Sequence, residues 1–168
     1  MKLLYTGGYA YYDGVEPMLE GFLESQLDGV IQLTGTPSSS VLSICSSTSR
    51  FDTVGFLSRS DLHTLCLNTD IFLAPRMYSN SNMLTTFPSK MLSYLAYNKC
   101  IMCVSSPAIP EEILDCTLKV SSGSHESWLE AFLSVRNLGL GAFPPSREKN
   151  TFRCTSANNL VSFLVEEK

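Results

Sequence analysis

TTFPSKMLSYLAYNKCIMCV, Thr85 to Val104, reads as loop, helix, tight turn and buried strand. Pro88 suits a first helical turn, where a missing N–H loses no partner. Thr85 or Thr86 just upstream can cap the free amides. Met91, Leu92, Leu95 and Ala96 fall at helical spacing and predict one apolar stripe. Asn98 can take the left-handed position that stops the helix, and CIMCV is short, apolar and strand-like. A helix that follows a Ser/Thr/Asn-rich loop favours an anion through its amides and dipole. The stretch therefore points to a phosphate.

Outward from it, the same alternation recurs. KLLYT (2–6) is a strand ending in Gly7-Gly8, and VEPMLEGFLE (15–24) is a helix with Met18, Leu19, Phe22 and Leu23 inward. VIQLT (30–34) is a strand closed by Gly35 and TPSSS, residues 41–45 fit either strand or helix, and FDTVGFL (51–57) is strand-like. Ser60 or Asp61 caps a helix through Leu67, and DIFLA (70–74) is a buried strand stopped by Pro75. The loop from Arg76 to Thr86 is long, polar and aperiodic, as functional loops often are. Beyond the focal segment come a short helix at 110–114, a strand at 117–120, and a helix from Ser124 or Glu126 to about Val135. A Gly/Pro-rich connection (139–149) and a last helix (158–166) complete the pattern. Short apolar strands alternating with helices imply βαβ units and a parallel sheet covered on both faces. Such sheets bind ligands at the carboxyl ends of their strands. The loops after Thr6, Thr34, Leu57 and Pro75 should open on that edge.

Composition narrows the function. The 168 residues fit one domain, residues 1–168, with enough chain to bury a core. Net charge is −4 and the basic residues are scattered, which excludes the basic stripe of a nucleic-acid binder. No apolar run approaches the roughly 18–20 residues of a membrane span, and the apolar start of MKLLYTGGY breaks too early for a signal peptide. Cys45, Cys66, Cys100, Cys103, Cys116 and Cys154 lie mostly in apolar runs, as reduced core thiols of a cytosolic protein do. Cys100 and Cys103 form a C-x-x-C inside a strand, not at the helix start where a redox pair belongs. His63 and His125 stand apart without a Ser or Asp constellation, and no G-x-S-x-G supports hydrolase chemistry. No Asp-x-Asp or His/Cys cluster implies a metal. Glu111 and Glu112 after Pro110 suit a helix first turn. Tyr5, Tyr9, Tyr11 and Tyr12 can line a sugar or base platform, or cover an interface.

With its elements in this order, the chain resembles the C-terminal, nucleotide-sugar-binding domain of GT-B glycosyltransferases of the GT4-like group. The matching pieces are LLYTGGY..YDGVEPMLEGF, IQLTG, VGFLSRSDLHTLCLNTDIFLAP and FPSKMLSYLAYNKCIMCV, in order over roughly residues 3–105. The resemblance implies one Rossmann-like half of a GT-B fold, with the acceptor domain absent from this chain. It implies sugar transfer from a nucleotide diphosphate sugar to a glycan or lipid-linked acceptor, as in polysaccharide biosynthesis. No metal or other cofactor is implied. The partner would be a separate acceptor-binding domain, or further copies of the chain, in the cytoplasm or at the inner face of a membrane. Gly7 and Gly8 would approach the diphosphate, with Tyr9 beside them. The amides around Thr86, Phe87, Pro88 and Ser89 would lie near the phosphates, with Lys90 the cation of the FPSK motif. Phe56 and Leu57 would border the base.

The chain also departs from the family. Thr85 and Ser93 stand where two glutamates would hold the sugar and the ribose, Tyr9 aligns with a phosphate-binding Arg, and TPSSS lacks a Lys. Arg59 and Arg76 are the other cations within reach of the rim. The replaced residues open a second reading: a non-catalytic, degenerate GT-B domain that acts as a partner-binding or relic module. An unrelated doubly wound nucleotide-binding protein ranks below both, because neither G-x-x-x-x-G-K-[ST] nor G-x-G-x-x-G occurs.

Overall fold

The computed structural model describes residues 1–77 and 87–143. Thr85, Thr86, Cys154 and the helix expected at 158–166 lie outside the described residues. Six parallel strands form one sheet: β1 (Lys2–Tyr5), β2 (Val30–Thr34), β3 (Phe51–Gly55), β4 (Ile71–Ala74), β5 (Cys100–Val104) and β6 (Leu118–Val120), in the order β3-β2-β1-β4-β5-β6. Leu3 and Leu4 pair with Ile31 and Gln32 on one side and with Ile71 and Phe72 on the other. The chain thus reverses its direction of travel across the sheet between β1 and β4. In open α/β sheets a ligand crevice forms at such a switch point.

Helices cover both faces, because the central strands β1, β4 and β5, four or five residues long and apolar nearly throughout, must be buried twice. On one face α1 (Val15–Ser25), α2 (Ser39–Ser46) and α6 (His125–Leu138) pack onto Leu3, Tyr5, Ile31, Leu33, Ile71 and Leu73. On the other, α3 (Arg59–Leu67), α4 (Lys90–Leu95) and α5 (Glu111–Leu114) pack onto Leu4, Phe72, Ala74, Ile101 and Cys103. Cys100 and Cys103 fall into opposite layers. Burial pushes their thiols up, to about 11 and about 12, so neither is a thiolate at neutral pH.

One open alternative is settled and two local expectations are corrected. Residues 41–45 are helical, within α2, because Ser38 caps its start (Val41 N–H to Ser38 Oγ, 3.3 Å) and Val41 and Cys45, four apart, share the buried side. Helix α3 is capped by Ser58, not Ser60 or Asp61, whose oxygen accepts from the Asp61 amide at 3.2 Å. Strand β3 stops at Gly55, so Phe56 and Leu57 belong to the connection into α3, with Phe56 85% exposed. The α6 cap at Ser124 and the left-handed Asn98 (φ 52°) agree with expectation.

The two helices of the first face meet at Gly21. A Cβ there would sit 2.9 Å from the Leu129 amide nitrogen and 3.0 Å from the His125 carbonyl oxygen. Ala is the better helix former by about 1 kcal/mol, but those neighbours are backbone and cannot swing aside. Overpacking of this kind costs about 1–3 kcal/mol. Gly21→Ala should therefore lower the urea midpoint, with a net loss of up to about 2 kcal/mol. A raised midpoint would show that propensity outweighs the clash.

Candidate functional site

The site is built at the β1/β4 switch point, and α4 brings its central residue there. This helix is shorter and turned differently from expectation. It buries Met91 and Tyr94, not a Met91–Leu92–Leu95–Ala96 stripe, and Ala96 is exposed. The reason is Tyr94, whose ring stacks on Phe72 of β4 (4.4 Å between centroids, 14° between planes). Its hydroxyl lies 2.8 Å from Thr6 Oγ1 and accepts from the Thr6 amide at 3.1 Å. Burial pushes that phenol up to about 12, so it stays neutral.

Lys90 is four residues earlier and so lies on the same side of the helix as Tyr94. Its ammonium sits 4.4 Å from the Tyr5 ring centroid, a cation–π geometry. It also lies against Gly7: a Cβ there would be 2.5 Å from Lys90 Nζ and 3.1 Å from the Tyr5 hydroxyl. Gly7 is held at φ 148°, where other residues are strained, so both its backbone and its missing side chain admit the lysine. The Tyr5 hydroxyl in turn donates to the Gly8 carbonyl. Desolvation lowers the Lys90 pKa to about 8; Asp13 opposes that shift, while Arg76 adds to it.

The other expected residues divide. Tyr9 does not point free into the crevice: its hydroxyl donates to the Thr34 carbonyl at 2.7 Å and its ring meets Tyr5 edge-on, tying the loops after β1 and β2. Phe87 is half-buried and packs into the second core layer, while Ser89 and Ser93 are exposed. Ser89 carries no side-chain cap bond. The first turn of α4 is tight: the Met91 amide bonds to Pro88 O (2.9 Å) and the Leu92 amide to Ser89 O (3.2 Å). Those two amides are therefore already satisfied within the helix. Phe56 and Leu57 stand at the carboxyl edge beyond β3, consistent with a rim position. Sequence reasoning passed over Asp13 and Tyr94. Tyr94 was detectable as the residue three after Met91; Asp13 had no signal beyond its place in the β1 loop. Beside this crevice lies a cleft of about 550 Å³ between Tyr11, Glu16, Pro17, Met77 and the turn at residues 122–124.

The lowered Lys90 pKa has a sign that can be read out. From about pH 8 up to 10.5 the folded chain has lost this proton while the unfolded chain retains it. The contribution of residue 90 to stability therefore rises with pH across that window, and below it the buried charge is a penalty. Lys90→Met keeps the apolar stem without the proton. Its stability relative to the parent should be greatest near about pH 7 and decline toward about pH 10 in paired denaturant titrations. A pH-independent difference would place the ammonium in water.

No protein-family model matches the sequence, and comparison with curated proteins finds no match. Solved structures do match. Sucrose-phosphate synthase of Thermosynechococcus elongatus superposes with a TM-score of 0.70 at 12% identity, over 98% of this chain and 44% of that one. HepE of Anabaena in complex with UDP and glucose gives 0.68 at 10% identity, over 99% and 48%. The catalytic domain of the Helicobacter pylori cholesterol-α-glucosyltransferase gives 0.66 at 12% identity, over 95% and 98%. The chain spans about half the length of the first two. Its fold is that of one Rossmann-like half of a GT-B glycosyltransferase.

Proposed function

We propose that this chain is the donor-binding half of a GT4-like glycosyltransferase. It would hold a nucleotide diphosphate sugar at the β1/β4 crevice and act with a separate acceptor-binding domain on a glycan or lipid-linked acceptor, without a metal. The observation that carries the proposal is the Lys90 ammonium, enclosed against the Gly7 turn at the switch point. A partly desolvated ammonium is a poor choice for a surface helix unless an anion meets it. That UDP occupies the HepE structure supports a nucleoside diphosphate as the anion. In the transfer, the bond from the anomeric carbon to the diphosphate oxygen breaks and its electron pair passes to that oxygen. Lys90 stabilises the developing charge, and the acceptor oxygen forms the new bond to the anomeric carbon while its proton passes to the departing diphosphate. Thr85 and Ser93, where acids would stand, leave sugar and ribose contacts to hydroxyls.

Calorimetric titration with UDP, GDP and ADP tests this. One of them should bind at micromolar to low-millimolar strength, and Lys90→Ala should weaken it by about tenfold or more. Because the lysine must be protonated, affinity should fall as pH rises through about 8 in the parent and stay flat in Lys90→Ala.

One observation favours the relic or partner-binding module instead: large apolar side chains are open at this edge, with Tyr11 81% and Phe56 85% exposed. On that reading all three nucleotides fail to bind, and the chain self-associates in sedimentation analysis. A monomer that binds a diphosphate removes it.

A further inference from the structure

We infer that Arg76, two residues beyond the end of β4, is a second cation of the proposed diphosphate site. This rests on the donor-binding reading and adds to it a second residue from the β4–β5 connection. The Nε of Arg76 is buried, with no hydrogen-bond partner among the described residues. A buried guanidinium N–H left unpaired is costly, so its burial calls for an acceptor. The guanidinium carbon lies 6.0 Å from the Tyr12 ring centroid, which holds the side chain along the β1 loop. Just after it, the Met77 amide donates to the Tyr12 carbonyl at 2.8 Å, pinning the loops after β4 and β1 together.

Arg76 is near enough to Lys90 for the two charges to repel, and Asp13 is the carboxylate that acts on Lys90 from the β1 loop. Asp13 is itself engaged, its Oδ2 accepting from the Ala10 amide at 3.0 Å. Two cations within electrostatic reach of each other and one tethered carboxylate leave an excess of positive charge in a partly buried place. A diphosphate supplies what is lacking: at least two negative charges, and paired oxygens that match the guanidinium fork. Tyr9, spent on the Thr34 carbonyl, and the TPSSS turn have no cation to offer from the other loops.

The test uses the full chain and whichever of UDP, GDP and ADP binds best, together with the matching nucleoside. Arg76→Gln should weaken the diphosphate by about 10- to 100-fold while leaving the nucleoside unchanged, and should reduce the salt dependence of binding. Arg76→Lys, which restores the charge but not the fork, should recover part of the loss. A thermal melt checks that each variant is folded; if Arg76→Gln is not, the weakening expected of Arg76→Lys alone decides. Equal diphosphate affinity in parent and variant overturns the inference, as does an equal loss of nucleoside and diphosphate, which would mean that Arg76 only pins the loops. If Lys90→Ala weakens binding and Arg76→Gln does not, the inference alone falls. If no nucleoside diphosphate binds the parent, it falls together with the donor-binding reading.

Discussion

The contact between the Tyr94 hydroxyl and Thr6 is the constraint on which the candidate site depends. It joins the first helix after the switch to the end of the first strand, 88 residues apart in sequence. Without it α4 would be held to the sheet chiefly by apolar contact, which is non-directional and fixes neither rotation nor depth. The stacked Phe72 ring sets the depth, and the two bonds to Thr6 set the rotation. With both fixed, the residue one turn earlier has one place to go. Lys90 then reaches over the carboxyl edge of β1 to the Gly7 turn. A six-residue helix can hold its side chains so closely because its orientation is set by a buried polar bond.

Burying part of a lysine works against stability, and several features of the β1 loop reduce the penalty. Gly7 supplies room through the side chain it lacks, and the Tyr5 ring supplies a negative face. Asp13 supplies an opposite charge. The loop is itself fixed by hydroxyls: Tyr5 onto the Gly8 carbonyl and Tyr9 onto the Thr34 carbonyl. These phenols are raised above their ordinary pKa, chiefly by burial, so they remain donors over the pH range in which Lys90 titrates. Loop and lysine are therefore interdependent. The loop's shape requires no ligand.

The architecture was legible because its signal is repetitive. Each of LLY, IFLA and CIMCV is too short and too apolar to be anything but a doubly buried strand, and Gly, Pro and Ser mark most of the ends. What misled were places where one tertiary contact outweighs a local pattern. Leu92 and Ala96 fit a helical stripe on spacing, yet Tyr94 takes the core position because its hydroxyl finds Thr6. Ser58 out-caps Ser60 because its oxygen reaches the Asp61 amide, a difference of two residues that composition does not register. In the site, Gly7, Gly8 and Lys90 were readable from the turn and the FPSK motif. Asp13 and Arg76 were harder to place, since their positions arise from the docking of two loops and no spacing along the chain encodes that.

The departures from the GT4-like pattern look different once the side chains are placed. A tyrosine in the turn where a cation is expected reads in sequence as loss of a phosphate contact. In the fold that tyrosine braces the turn against β2, and the positive groups approach from α4 and from the end of β4. Electrostatic attraction between partly buried charges depends on distance and desolvation, not on which loop supplies the charge. A site can therefore exchange its cationic residues between loops while the sheet edge that gathers them stays the same. On the donor-binding reading the cations here come from the β4–β5 connection, which the β1/β4 switch brings against the turn after β1. Substitution at an aligned position is thus weak grounds for calling such a domain degenerate, and the charge gathered at its crevice is the better criterion.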